Sequence, residues 1–298
     1  GFTLVTPNPD DRIIINTQEH DRNWVAGTSG GVSFVPLTLG SHQNLMLDLA
    51  VHDAGAGNDT VDLPLGMAEG SLLSVVGGFG NNQVTIGGGT VEFMPMVGIN
   101  DQAANPGFLP LVGNFALTAK GNAQAILYTG TGVTELSIQD EAKVTVKADL
   151  FSTLRLQGLS ITGQGTLDLD GYDLVVGAAD NEDATLFQIS QLIGFAFNAS
   201  AGRWTGAGIT SSTLLSQPLR GLVPTISGDS ILVKHTWIGD VTCDGKLDGD
   251  DYFLIDSGFI SKKNGYCNGD LNFDGVVDGD DYFLVDSAFI GQTAQAAD

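Results

Sequence analysis

Along residues 44–51, 72–76, 82–86, 134–138 and 143–150, apolar and polar side chains alternate with a period of two. That period marks strands with one face turned to a core. "TLRLQGLSI" (153–161) and "TLDLDGYDLVV" (166–176) continue the pattern, and Gly, Asn and Asp separate the runs. Residues 49–63 and 72–86 superpose with a 23-residue offset, which sets Gly57, Asn58, Asp59 and Val61 over Gly80, Asn81, Asn82 and Val84. A repeat of this length is one coil of a parallel β-helix, in which equivalent residues stack. The pattern therefore predicts a mainly β chain: a parallel β-solenoid over residues 1–236. A β-sandwich is the alternative, because it alternates in the same way without a constant period.

Two stretches change period. In "DATLFQISQLIGFAF" (183–197), Leu186, Ile189 and Ile193 keep helical spacing and predict one packed helix. "TISGDSILVKHTWIGD" (225–240) reads as a last strand running straight into an acidic segment, with almost no flexible linker between them. Beyond it, "DGDDYFLIDSGFI" (248–260) and "DGDDYFLVDSAFI" (278–290) differ only at Ile255/Val285 and Gly258/Ala288. Tyr252, Ile255 and Phe259 share one face of a predicted helix, as do Tyr282, Val285 and Phe289. Asp250, Asp251, Asp280 and Asp281 fall in the first turns, where the helix dipole favours negative charge.

Ahead of each helix lies an acidic loop built to one pattern. Counted from Asp240, positions 1, 3, 5, 9 and 12 are Asp240, Thr242, Asp244, Asp248 and Asp251; counted from Asp270, they are Asp270, Asn272, Asp274, Asp278 and Asp281. Gly245 and Gly275 stand at position 6, where the chain must turn sharply. Position 7, Lys246 or Val276, contributes a main-chain carbonyl, so its side chain is free. A hard divalent cation takes about 6–8 oxygens, and a tightly wound loop aims alternate side chains inward. Crowded carboxylates repel one another, and calcium removes the conflict. Two copies in register predict two calcium ions.

A calcium loop with its following helix, given in duplicate without a leading helix, resembles a type I dockerin domain over about residues 238–291. That resemblance implies Asp at position 12, as Asp251 and Asp281 provide, and a cohesin domain as partner. The family reads cohesin with small hydroxyl residues at positions 10 and 11; here Gly249–Asp250 and Gly279–Asp280 stand there, so the partner is cohesin-like or noncanonical. The expected domains are 1–236 (solenoid-like), 237–291 (dockerin-like) and a tail, 292–298. "GLSITGQGTLDLDGYDLVV" (158–176) and "GRWTGAGITSS" (202–212), together with the dockerin-like end, resemble autotransporter-type passenger segments of large bacterial secreted β-repeat proteins.

Composition narrows the partners. The chain of 298 residues has 35 acidic against 12 basic residues, a formal charge of -23. Such a surface repels nucleic acid and anionic membranes and attracts cations. No apolar run is long enough to span a bilayer. The start at Gly1, without an initiator methionine, reads as a processed end. Cys243 and Cys267, the chain's two cysteines, favour a disulfide in an oxidising, extracytoplasmic setting; two separate buried thiols are the alternative.

Catalytic signals are weak. Gly27, Ser29 and Gly31 fit a nucleophile-elbow spacing, but a strand-like run follows where a helix is required. His20, His42, His52 and His235 have no metal-ligand spacing. The glycine-rich stretch 77–84 approaches a calcium-binding nonapeptide but reads as structural turns. Lys143, Lys147 and Arg155 are the clustered bases, and Asp168 with Asp170 is a carboxylate pair that a solvated face explains equally well. Asn58 and Asn198 open N-glycosylation sequons. The expected function is that of a non-enzymatic, calcium-stabilised structural or adhesive protein, secreted to the cell surface or matrix. It would self-associate, into a filament or surface layer, or dock on another extracellular protein. The runner-up is a carbohydrate-binding or polysaccharide-degrading protein attached to a larger assembly by its dockerin-like module.

Overall fold

A computed structural model describes residues 2–6, 10–18, 22–40, 43–49, 58–69, 71–76, 81–93, 115–129, 132–147, 152–178, 181–198 and 202–295. The protein is mainly β, with parallel and mixed sheets and, among those residues, three helices. None of these helices is long and apolar enough to cross a membrane. The chain forms two compact units, Gly1–Gly165 and Thr166–Asp298. Residues 166–236 thus share a unit with the acidic-loop segment.

The first unit opens with β1 (Phe2–Val5), β2 (Arg12–Gln18), β3 (Arg22–Ser29), β4 (Val32–Ser33) and β5 (Leu37–Leu39). Next come β6 (Leu45–Asp48), β7 (Thr60–Leu63), β8 (Leu72–Val76), β9 (Asn82–Ile86) and β10 (Thr90–Phe93). It closes with β11 (Phe115–Ala119), β12 (Gln124–Tyr128), β13 (Val133–Ile138), β14 (Lys143–Lys147), β15 (Thr153–Leu156) and β16 (Gly158–Ile161). From β6 onward, strands fall alternately into two parallel sheets, β1-β6-β8-β10-β12-β14 and β2-β7-β9-β11-β13-β16.

In-register pairing of alternating sequences stacks like on like. Val61, Val84, Leu117 and Leu136 form one buried row, and Leu63, Ile86, Ala119 and Ile138 the next. Ala125 and Val144 pair in the opposite sheet, as do Leu127 and Val146. Phe93 of that sheet stacks on Phe115 at 5.9 Å between centroids. The 23-residue echo reappears as the Val61–Val84 register. At its turn Asn58 accepts from the Asn81 N–H at 3.1 Å, while Asp10 accepts from Asn58 N–H at 3.0 Å. One step on, Asn82 accepts from Asp59 N–H at 3.1 Å and Asp59 from Asp11 N–H at 2.8 Å. The rest of the echo, 50–57 and 77–80, lies outside the described residues, as do His20, His42 and His52.

Pairing is not parallel throughout. β3 runs antiparallel to β2, β4 and β5. The run 153–161 breaks at Gln157, whose N–H bonds the Thr134 carbonyl at 2.7 Å, so β15 and β16 lie in different sheets. Lys143 and Lys147 flank the fully buried Val144 and Val146 on β14, with Lys143 exposed and Lys147 half-buried, and Arg155 is exposed on β15. Leu117 is fully buried, and Leu117→Ala is expected to destabilise the first unit by about 2–5 kcal/mol, the range for emptying a leucine site. A denaturant titration of the variant checks this.

The second unit holds β17 (Thr166–Asp168) parallel to β19 (Gly208–Thr210) and an antiparallel sheet of β18 (Asp173–Gly177), β21 (Ser230–Trp237) and β20 (Arg220–Ser227). The run 166–176 divides where Asp170 and Gly171 take φ of 47° and 89°. Helix α1 (Glu182–Phe197) is capped by the Asn181 side chain and buries Ile189 and Ile193, with Leu186 half-buried. α2 (Gly249–Ser261) and α3 (Gly279–Gln295) follow the acidic loops. Their predicted faces meet each other. Tyr252 packs edge-on against Phe289 and Phe259 against Tyr282, and the two hydroxyls donate crosswise to Asp286 (2.6 Å) and Asp256 (2.5 Å).

Candidate metal centre

Each loop closes on itself through its carboxylates. Asp240 Oδ1 accepts from the Asp244 N–H (3.1 Å) and Oδ2 from Gly245 N–H (3.0 Å), and the Thr236 hydroxyl donates to Oδ2 as well. Asp244 Oδ1 takes the Lys246 N–H at 2.8 Å, and Asp248 Oδ1 the Asp250 N–H at 3.0 Å. Asp251 ties the loop to its helix: Oδ1 accepts from the Thr242 N–H and hydroxyl, and Oδ2 from the Asp248 N–H, all at 3.0 Å.

The second loop repeats most of these bonds, but its position-5 N–H, on Asp274, goes to Asn272 instead of to the first aspartate, and Asp281 takes one N–H more than Asp251. Asp270 Oδ2 accepts from Gly275 N–H (3.1 Å), Asn272 Oδ1 from Asp274 N–H (2.8 Å) and Asp274 Oδ1 from Val276 N–H (2.9 Å). Asp278 Oδ1 accepts from Asp280 N–H, and Asp281 gathers the N–H groups of Leu271, Asn272 and Asp278. Gly245 and Gly275 take φ of 93° and 92°, where a Cβ is strained. Position 4 is left-handed in both loops too, as Cys243 (58°) and Phe273 (60°). Lys246 and Val276 are exposed at position 7 and contribute no side chain to the loop interior.

All the expected ligand positions are thus gathered into two matching loops. Asp240, Asp251, Asp270 and Asp281 are buried while the remainder rim the loop. Burial raises the carboxyls of Asp251, Asp270 and Asp281 above the ordinary aspartate range, because desolvation penalises the anion. Asp270 Oδ1 is buried and has no hydrogen-bond partner, and Asp270 as a whole is only 4% exposed. A buried carboxylate oxygen facing no donor fits a cation. Among the described residues no group of three or more His, Cys, Asp and Glu side chains forms a metal cage on its own. Loops of this spacing take part of their oxygen set from a hydroxyl or amide, here Thr242 or Asn272, and from the position-7 carbonyl.

The supports around the loops were not read from the sequence, although apolar residues recur at the second and eighth positions of both loops. Val241, Leu247, Leu271 and Val277, at the second and eighth loop positions, are buried anchors. Gln292 of α3 clamps Leu247 through both N–H and carbonyl at 2.8 Å. Lys234 of β21 donates to the Cys243 carbonyl at 2.7 Å, and the buried Tyr266 hydroxyl accepts from Gly239 N–H. The C-terminal end of α1 braces the second loop: Phe197 packs on Phe273, and the Asn198 amide donates to the Asn272 carbonyl at 2.7 Å. That amide nitrogen is the one a sequon would glycosylate.

Two other expectations resolve differently. Cys243 and Cys267 are free thiols, not a bridge. Cys267 Sγ donates to the Pro224 carbonyl at 3.1 Å, and burial pushes the Cys243 thiol up to about 12 and raises Cys267 as well, the reverse of an activated thiol. Asp168 and Asp170 fasten a turn: Asp168 Oδ1 accepts from the Asp170 and Ser212 N–H groups, and Asp170 from the Ser212 hydroxyl. Ser29 is followed by the Gly30–Gly31 turn and β4, so the helix a nucleophile elbow requires does not follow it.

The raised carboxyls carry a pH prediction. A group whose folded pKa lies above its unfolded value stabilises most below the unfolded value, and that contribution fades as pH rises through the folded one. Calcium-free protein should therefore gain stability as pH is lowered from 7 towards the raised aspartate values. With calcium present the trend should reverse, because protons compete for the same oxygens. Denaturant titrations at pH 7 and pH 5, in chelator and in calcium, test both signs. No family model matches this sequence, no curated protein is similar to it, and no solved structure matches the fold.

Proposed function

We propose that residues 237–291 form a dockerin-like module holding two calcium ions, joined to a parallel β-solenoid in a secreted, non-enzymatic structural or adhesive protein of the cell surface or matrix. The supporting observation is duplication at the level of hydrogen bonds. The two loops share five carboxylate-to-N–H closures around a left-handed glycine, and in one a buried carboxylate oxygen, Asp270 Oδ1, lacks a donor. Asp240, Asp244, Asp248 and Asp251 with Thr242 and the Lys246 carbonyl would hold the first ion. Asp270, Asp274, Asp278 and Asp281 with Asn272 and the Val276 carbonyl would hold the second. Bound there, each ion supplies positive charge that cancels repulsion between its carboxylates.

The partner reading rests on what the helices leave exposed. Phe253 and Ile260 on α2, and Phe283 and Ile290 on α3, are exposed at equivalent repeat positions. An apolar surface presented twice suits a second copy of the chain or another extracellular protein. Isothermal calorimetry on the whole chain is expected to count two calcium ions, with Asp281→Asn and Asp251→Asn each removing one. A stoichiometry of zero would end the proposal. Light scattering in calcium should show association, which Phe253→Ser with Phe283→Ser reduces; a monomer at every concentration removes the self-assembly part alone.

A further inference from the structure

The second unit carries a cleft of about 570 Å³ formed by the 3-10 turn Ser212–Ser216, the start of β20 and the end of β21. In a chain with 35 acidic residues its lining includes Arg220 and His235 but no carboxylate. The Arg220 guanidinium lies 4.1 Å from the centroid of the Trp237 ring, which is only 6% exposed and so is a fixed platform. Among the described residues the guanidinium makes no ion pair and donates no hydrogen bond. The acids around it are engaged elsewhere. Asp173 accepts from the His235 N–H at 3.0 Å, and Asp240, whose field reaches Arg220, is spent on Thr236 and the N–H groups of Asp244 and Gly245.

The neutral lining mixes polar and apolar groups. Thr213 Oγ1 bonds His235 Nε2 at 3.3 Å and Ser211 Oγ at 2.8 Å, and Ser216 donates to the Thr213 carbonyl. Gln217 and Gln295 bring amides, and Pro218 with Leu219 brings apolar surface. We infer that this cleft binds a hexuronate, a sugar ring bearing one carboxylate. A guanidinium held flat by stacking keeps its N–H fork in one plane, and a carboxylate takes that fork with two parallel bonds. Hydroxyls and amides match ring hydroxyls, and the apolar edge matches the C–H face of the ring. One guanidinium specifies one carboxylate, and the volume admits a mono- or disaccharide unit. The inference does not rest on the calcium reading: the cleft contains no proposed calcium ligand.

The test uses the whole chain in calcium at low salt, with glucuronate, glucose, acetate and a peptide ending in a free carboxylate as probes in calorimetry and in NMR of the Trp237 indole. Glucuronate should bind saturably and perturb Trp237, glucose at least tenfold more weakly, and affinity should fall as salt rises. Arg220→Gln should lose tenfold or more. Arg220→Lys, which keeps the charge but not the fork, should lose less, and Val35→Ala, exposed in the first unit and outside the cleft, should change nothing. Unchanged circular dichroism in the Arg220 variants separates loss of binding from loss of fold. Equal binding of glucose and glucuronate overturns the role of Arg220. Acetate or the peptide binding as tightly as glucuronate overturns the sugar assignment, and no saturable binding overturns the site.

Discussion

Excess chelator added to the whole chain is expected to unfold α2 and α3 while the strands of Gly1–Gly165 persist. Asp240, Asp251, Asp270 and Asp281 are all at most 4% exposed, and Asp270 keeps an oxygen without a donor. Without a cation, the buried anions repel one another unless the loops open to water, and burial raises the carboxyls of Asp251, Asp270 and Asp281 so that these three favour protonation. Opposing that is a small set of anchors: Val241, Leu247, Ile255, Leu271, Val285 and Ala288. A ligand present at 1,000 times its Kd contributes about 4 kcal/mol per site. Two sites then contribute about 8 kcal/mol, comparable with the whole stability of a typical domain. Far-UV circular dichroism should lose helical signal, and proteolysis should cut within 237–291. Asp281→Asn in calcium should reproduce about half of the effect. Helical signal and protease resistance that survive chelation would remove calcium from the structural account.

The loops were legible because a short closed loop is marked by polar side chains spaced around one glycine. Asp240 to Asp251 and Asp270 to Asp281 could be numbered from the glycine outward, and carboxylate-to-N–H bonds close both segments around Gly245 and Gly275. The residues that brace the loops could not be read this way. Thr236, Tyr266, Gln292 and the α1 end at Asn198 reach them from outside the repeat, and no local pattern marks a partner so placed. The same division runs through the β part. Alternation identified β6, β8, β9, β13 and β14 but not β1–β5 or β10–β12, and the Asn58–Asn81 echo gave one true register. Alternation reports a buried face but not which strand lies beside it, so the antiparallel β2–β3 and β20–β21 pairs were missed. The break at Gln157 escaped for a related reason, since only the Thr134 carbonyl across the sheet makes that residue a bend. The cysteines misled because counting thiols ignores what each touches; Cys267 is satisfied by Pro224.

Gly258→Ala should destabilise the second unit, although it copies into the first repeat what Ala288 provides in the second. Helix propensity alone argues the other way, since alanine is favoured over glycine by about 1 kcal/mol in a helix interior. Sterics decide. A Cβ on Gly258 would lie 1.9 Å from the Asn268 carbonyl oxygen and 2.8 Å from its carbon, far inside contact distance and against main chain. The turn bearing that carbonyl is held by Asn268 N–H to Gly265 and Gly269 N–H to Tyr266, both at 2.9 Å, and it leads directly into Asp270. Making room for one methyl group must therefore shift the first residue of the second loop. Overpacking of this kind costs about 1–3 kcal/mol, which exceeds the propensity gain. Ala288 is fully buried, so Ala288→Gly should also destabilise, by about 1 kcal/mol through backbone entropy. Making the two copies identical in either direction thus lowers stability. Denaturant titration in calcium checks the signs, and calorimetry should find the second site weakened in Gly258→Ala while the first keeps its affinity. A Gly258→Ala protein as stable as the parent would mean that the turn at Asn268 yields freely and that α2 does not set the position of the second loop.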